Sequence, residues 1–182
     1  MGLVKEFKGL HGYKDEGSIF DVLSYALGSP YADGYWLGNL NETSDVRNLV
    51  EQFQIVESKR SDLQGKVKIH HFVLSVQDLD MRYEAVEDLG RVVKDYFRKQ
   101  HFQAVVVLHR GSRKHPYQPH LHVIINHCNI YGDLFYGRNT DYANLLHYLE
   151  KVTHKKWSFI YAEESDYDPE PFLKPRDFGC II

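Results

Sequence analysis

The sequence predicts an α+β domain, a mostly antiparallel sheet with helices packed on one face, and three observations carry that expectation. Stretches with apolar residues at helical spacing alternate with short aliphatic runs. Two of those runs, 102 to 109 (FQAVVVLH) and 119 to 127 (PHLHVIINH), flank a polar loop as the strands of a hairpin would. With 182 residues, 43% hydrophobic and 26% charged, the chain is long enough and apolar enough for one domain with a real core. The order strand, helix, strand, hairpin to strand, helix then places the helices together against a sheet whose other face carries the histidines.

Residues 17 to 28 (GSIFDVLSYALG) read as a short helix with Ser18 as candidate N-cap and Gly28 as a stop. Ile19, Val22, Leu23 and Ala26 form its buried stripe, and Tyr25 stands at the stripe's edge. A second helix spans 43 to 57, with Val46, Leu49, Val50 and Phe53 inward. A turn around Leu63 to Gly65 leads into a strand over 66 to 76 (KVKIHHFVLSV). From Met81 to Lys99 the helical period is clearest: Ala85, Val86, Leu89, Val92, Val93, Tyr96 and Phe97 recur at helical spacing, and the opposite face bearing Glu84, Glu87, Arg91, Lys94, Asp95 and Arg98 reads as solvated. After the two aliphatic strands come a helix over 141 to 152 and a short strand near Ser158 to Ala162. Residues 1–165 are expected to form the domain, and 166–182, with Pro169, Pro171 and Pro175, an extended tail or the start of a linker.

Composition excludes several classes. A formal net charge of -3 argues against indiscriminate coating of nucleic acid and leaves room for a local basic surface. Cys128 and Cys180 are far apart and make neither a zinc knuckle nor a disulfide framework, so a reducing cytoplasm is the expected compartment. No run approaches the ~20 apolar residues of a membrane span, and MGLVKEFKG lacks the apolar core of a signal peptide.

The chemistry concentrates between positions 109 and 122, where His109, His115, His120 and His122 crowd together in HRGSRKHPYQPHLH. In a strand, alternate side chains point the same way, so His120 and His122 share a face while Leu121 and Val123 turn into a core. If 102–109 pairs antiparallel with 119–127, His109 falls close to opposite His120, and directly opposed residues have Cβ atoms roughly 4.5 to 5.5 Å apart. Three imidazoles can then share one ion, and neutral imidazoles suit Mn²⁺ or Zn²⁺ better than Mg²⁺ on ligand softness. His115, in the loop, reads as solvated. Arg110, Arg113 and Lys114 lie beside this site as candidate phosphate contacts, and Tyr117 and Tyr131 as platforms for unpaired bases.

Taken together these residues resemble the HUH endonuclease superfamily, named for its His-hydrophobe-His strand, and within it the mobilisation relaxases. The similarity spans roughly residues 18 to 157 in family order: DVLSYALGSPY for the tyrosine-bearing helix, LGNLN for a Gly-X-Asn stretch, LVEQF, HHFVLSV, and PHLHVIIN. The resemblance implies a nuclease fold with an RRM-like palm and a divalent ion, Mn²⁺ or Mg²⁺ with Zn²⁺ as a further choice, on His109, His120 and His122. It implies Tyr25 as the nucleophile that nicks single-stranded or supercoiled transfer-origin DNA of a plasmid or integrative element and leaves a 5′-phosphotyrosine. Accessory relaxosome proteins and a bacterial cytoplasm go with that reading. Arg110 and Gly111 stand where the family often has an acidic residue, so either His109 or His115 completes the ligand set.

Three rivals remain open at this level. A rolling-circle replication initiator would carry its tyrosine on the later helix, where YANLLHYLEKV offers Tyr142 and Tyr148. A histidine-triad nucleotide hydrolase would need a third same-face histidine at position 124, which is Ile. A non-catalytic nucleic-acid-binding sheet would need neither metal nor tyrosine.

Overall fold

In a computed structural model, which describes residues 1–7, 12–15, 17–63, 66–76 and 83–163, ten regular elements follow one another. They are β1 (Gly2–Phe7), α1 (Gly17–Gly28), β2 (Ala32–Gly38), α2 (Val46–Glu57), β3 (Ile69–Val76), α3 (Tyr83–Lys99), β4 (Ala104–His109), β5 (His120–Asn126), α4 (Asn139–Thr153) and β6 (Trp157–Tyr161). One six-stranded sheet has the order β2-β4-β5-β3-β1-β6. Each neighbouring pair is antiparallel except β1 with β6, which run parallel. The α+β class and the largely antiparallel sheet are therefore as expected. The proline-bearing tail, 166–182, lies outside the described residues.

The helices, expected together, divide between the two faces. Val86, Leu89, Val93 and Phe97 of α3 and Tyr142, Leu145 and Leu149 of α4 pack on Phe72, Leu74, Val106, Leu108, Leu121 and Val123. Ile19, Leu23 and Ala26 of α1 and Leu49 and Phe53 of α2 pack on Ile69, Val105, Val107 and Ile124 of the opposite face. The physical sign is the unbroken aliphatic run in β4, every residue of which is buried; strands covered on both faces lose the polar alternation of half-exposed ones. Ile19 and Leu23 are fully enclosed, and burying each contributes about 1.5–3 kcal/mol. That burial seats α1 over the histidine-bearing face.

Two strands escape the sequence reading, each for a local reason. In β1 the buried side is Gly2, Val4 and Glu6 while Leu3, Lys5 and Phe7 are half-buried, so hydrophobicity does not mark the face that packs. Glu6 is buried because its Oε1 lies 3.0 Å from His70 Nδ1 on β3. The edge strand β2 (ADGYWLG) has glycines at two of seven positions and is half-buried along most of its length. Ser18 also proves to lie inside α1 rather than capping it. Its backbone N–H donates to Asp15 Oδ1 at 2.8 Å and its hydroxyl to Asp15 Oδ2 at 2.9 Å, so the preceding aspartate supplies the capping oxygens.

Side-chain amides fasten α2 and the α3 end to this frame. Asn126 Nδ2 donates to Phe53 O at 3.1 Å, and Gln103 Nε2 to Gln52 O at 2.9 Å. Asn39 Nδ2 donates to the carbonyls of Arg98 and Phe102. Where α3 crosses β2, the missing side chain of Gly90 receives the Trp36 ring, and a Cβ there would be driven into it. Gly90→Ala should therefore lower stability by about 1–3 kcal/mol, because overpacking outweighs the helix propensity it gains. Chemical denaturation of both proteins measures the difference.

Candidate metal centre and nuclease site

β4 delivers His109 at its last residue and β5 delivers His120 at its first, and the two are direct antiparallel partners. His122 follows on the same face. Among the described residues, these three offer ligand atoms that all lie within 4.8 Å of one another, a set that could hold a metal ion. His120 Nε2 and His122 Nε2 are 3.2 Å apart, and the rings of His109 and His122 have centroids 4.2 Å apart. His109 and His122 are 2% and 4% exposed while His120 is half-buried, so of the three His120 is the one most open to solvent.

Burial sets the protonation state. It pushes His109 down to about 4, against a partial counter-effect from its bond to Ala26. His122 is driven well below the usual imidazole range by burial and then by the neighbouring His109, His71 and His120. His120 is lowered as well, again chiefly by burial. All three are neutral at physiological pH, and the neutral imidazole is the metal-binding form.

Each ring is also oriented by its second nitrogen. His109 Nε2–H donates to the carbonyl of Ala26 at 2.7 Å, which leaves Nδ1 with its lone pair. His120 Nδ1–H donates to the carbonyl of Gln118 at 3.1 Å, which leaves Nε2. His122 Nδ1 lies 2.9 Å from Nε2 of His71, a β3 residue on the same sheet face. Outer partners of this kind are what orient ligating histidines. The residues present therefore fit a divalent ion in number, charge state and orientation.

His71 is the residue that sequence reasoning missed. Its signal was the paired His70-His71 in HHFVLSV, but only the β3–β5 pairing, which sets Val73 opposite His122, puts His71 diagonally across from that ligand. His70 points to the other face and bonds Glu6 and His127 instead. Burial pushes His71 down to about 3.

Tyr25 arrives from α1. Its ring stands edge-on to His122, with centroids 5.5 Å apart, and edge-on to His71 at 6.5 Å. The next residue, Ala26, is the one whose carbonyl holds His109. Being in the last helical turn, that carbonyl has no partner within the helix and is available to the imidazole. One bond thus couples the tyrosine-bearing helix to a triad member.

The other candidates fall elsewhere. His115 is exposed in the β4–β5 loop and outside the three-histidine set, so His109 is the third member. Tyr31 accepts the Arg110 N–H at its backbone carbonyl and donates its own N–H to Ser29 Oγ, and Tyr35 packs against the α1–α2 core. Tyr142 is buried at 1% exposure, stacked on Phe159 at 4.0 Å, with its phenol pushed far up by burial and by Glu6. Tyr148 rests on Tyr96 at 4.9 Å. Both lie on the α3–α4 face, with the sheet between them and the triad, which removes the geometric basis for the replication-initiator reading. Ile124 is core, as the histidine-triad hydrolase reading could not allow.

In the loop, Arg110, Arg113 and Lys114 are all exposed, and Arg110 pairs with Asp33 and lies over the Tyr83 ring at 5.8 Å. Tyr117, 95% exposed, joins Tyr83, Arg110, Pro116 and Pro119 around an open cavity of about 420 Å³. Tyr131 sits against His101, beyond the far end of β5. No described helix is long and apolar enough to cross a membrane.

No curated protein and no solved structure matches the chain. Comparison with protein-family models does match residues 25–156, from the tyrosine of α1 to the threshold of β6, to "Relaxase: MobA/VirD2-like, nuclease domain". With the three-histidine cluster on its sheet and that match across most of its length, the chain belongs to the MobA/VirD2-like relaxase nuclease family.

Proposed function

We propose that this domain nicks one strand of the transfer-origin DNA of a plasmid or integrative element by transesterification, with Tyr25 as nucleophile and His109, His120 and His122 as metal ligands. The observation that carries the reading is the edge-on placement of the Tyr25 ring beside His122, in a cluster whose three imidazoles are neutral and oriented. A non-catalytic binding sheet has no use for such an arrangement, because buried imidazoles cost desolvation and contribute little that aliphatic side chains would not.

The phenolic oxygen of Tyr25 forms a bond to the scissile phosphorus as the bond to the 3′ oxygen breaks. The phenolic proton is given up, and the departing oxygen takes up a proton to become a free 3′-hydroxyl. The 5′-phosphate stays on Tyr25, so the phosphodiester's energy is conserved and resealing needs no nucleotide. His109, His120 and His122 would hold a divalent ion, which when bound would supply Lewis acidity to the scissile phosphate; imidazole ligands favour Mn²⁺ or Zn²⁺, with Mg²⁺ favoured only by its abundance. Arg110, Arg113 and Lys114 neutralise the phosphates on either side, and Tyr117 stacks on an unpaired base at the Tyr83–Arg110 cavity. Single-stranded or supercoiled DNA in a bacterial cytoplasm is the matching substrate, with accessory relaxosome proteins as partners.

Metal binding is measured by calorimetric titration of Mn²⁺ into the wild type and the double variant His120→Ala/His122→Ala. The wild type should take up one ion and the variant none; equal affinities would remove the metal site. Tyr25→Phe keeps the ring and its packing while deleting the attacking oxygen. It should retain folding and DNA binding but lose the covalent adduct seen on a denaturing gel with origin DNA, whereas Tyr148→Phe should leave the adduct intact. An adduct mapped by mass spectrometry to Tyr142 or Tyr148 would overturn the assignment.

Each phosphate neutralised on a single strand contributes about -0.7 to the slope of log affinity against log salt. Replacing Arg110, Arg113 and Lys114 together should flatten that slope. An unchanged slope would mean that the DNA runs elsewhere.

A further inference from the structure

His71 is the imidazole partnered with His122 Nδ1, and the transesterification above gives it no further part. It is 5% exposed, and its Nε2 lies 2.9 Å from His122 Nδ1 while its Nδ1 lies 3.4 Å from the Tyr13 hydroxyl. Its ring lies nearly parallel to that of Phe7, with centroids 5.4 Å apart, and side by side with that of His122, at 5.2 Å. The Tyr25 ring meets both His71 and His122 edge-on. A side chain wedged this way has little freedom to turn.

The two other triad members are oriented by backbone carbonyls, which can only accept, so each has a single tautomer compatible with its bond. His122 is different. Its partner is an imidazole nitrogen, which accepts or donates according to where its own proton sits. If His122 is to offer Nε2 as a ligand, Nδ1 must carry the proton and donate it to His71 Nε2; His71 must then carry its proton on Nδ1, facing the Tyr13 oxygen. With the protons the other way, His71 Nε2–H donates to His122 Nδ1, and the proton on His122 Nε2 faces His120 Nε2, 3.2 Å away. That arrangement occupies the lone pair a metal needs. Both arrangements have the same number of protons and no net charge, and His71 keeps His122 hydrogen-bonded in either.

We propose that His71, backed by Tyr13, is a positioning residue that keeps His122 Nδ1 hydrogen-bonded in both the metal-free and the ligand tautomer and holds the ring against which Tyr25 packs. The proposal rests on the metal-centre reading above. A backbone carbonyl could not serve both arrangements, and an aliphatic side chain would leave His122 Nδ1 without a partner in a dry site, where a lost bond is costly. The imidazole stands here as the outer partner of a ligating histidine, a place often taken by a carboxylate, carbonyl or water.

The test pairs His71→Leu, which removes the acceptor, with His71→Gln, whose amide can accept or donate at a similar reach. Mn²⁺ affinity is read by calorimetry, and the histidine tautomers by long-range ¹H–¹⁵N NMR of the Zn²⁺-loaded domain. Loss of an outer partner typically costs about 10–100-fold in metal affinity, so His71→Leu should lose that much while His71→Gln stays close to wild type. In the Zn²⁺-loaded wild type, His122 should appear as the Nδ1–H tautomer with a slowly exchanging proton, and in His71→Leu that protection should disappear. A purely structural role would lower thermal stability in both variants without this selective rescue. If His71→Leu binds Mn²⁺ as tightly as wild type, or His71→Gln loses as much as His71→Leu, the positioning role fails although the metal site stands. If the wild type itself takes up no ion, both readings fall together. Should His71→Leu not fold, the His71→Gln affinity and the wild-type tautomer decide the matter: a weak Gln variant or a His122 carrying its proton on Nε2 overturns the proposal.

Discussion

The register between β4 and β5 is the constraint on which the rest depends. With His109 opposite His120 and Leu108 opposite Leu121, the histidines fall on one face and the leucines on the other. A slip of one residue in β5 would exchange the faces of that entire strand and turn His120 and His122 away from His109. The pairing is held by apolar burial on both sides: Val106 and Leu108 in one core, Val105 and Val107 in the other. Neither hydrophobic layer tolerates the alternative, so the geometry of the three-histidine set is enforced by the same energy that folds the sheet. The loop between the strands can consequently be long and basic without loosening the site.

Coverage of the histidine face by α1 and α2 has two chemical consequences. It dries the cluster, which keeps the imidazoles neutral, and it brings the end of α1 to the three histidines. The bond from His109 to the Ala26 carbonyl satisfies a helix-terminal acceptor and a buried imidazole donor at once. Tyr25 is carried along by its position in the chain, one residue before Ala26. A helix packed only on the α3–α4 face, where the replication-initiator reading would need its tyrosine, has the full thickness of the sheet between it and the triad.

The opposite face contains a second polar island with another role. Glu6, His70 and His127 form a chain of contacts at 3.0 and 3.1 Å beneath α4 and the loop that follows β5. They link β1, β3 and the end of β5, which explains a buried glutamate in a strand whose other inward positions are Gly2 and Val4. His70 and His71 are adjacent in sequence, yet the pleat sends one to this island and the other to the three-histidine cluster.

What the sequence by itself determined is what periodicity and spacing encode. The helices at 17–28 and 81–99, the hairpin of 102–109 with 119–127, and the same-face placement of His120 and His122 follow from periods of 3.6 and 2.0, which are local properties of the backbone. The opposition of His109 and His120 needed only the further assumption that consecutive strands pair. The tertiary structure alone decided the rest. That α1 and α2 cover the second face, that β1 enters with its glutamate inward, and that β3 lies beside β5 are outcomes of long-range packing between segments that no local period relates. His71 and the Ala26 carbonyl belong to this second class. One acts through a strand pairing 51 residues away in sequence, the other through a backbone atom that has no residue type to read.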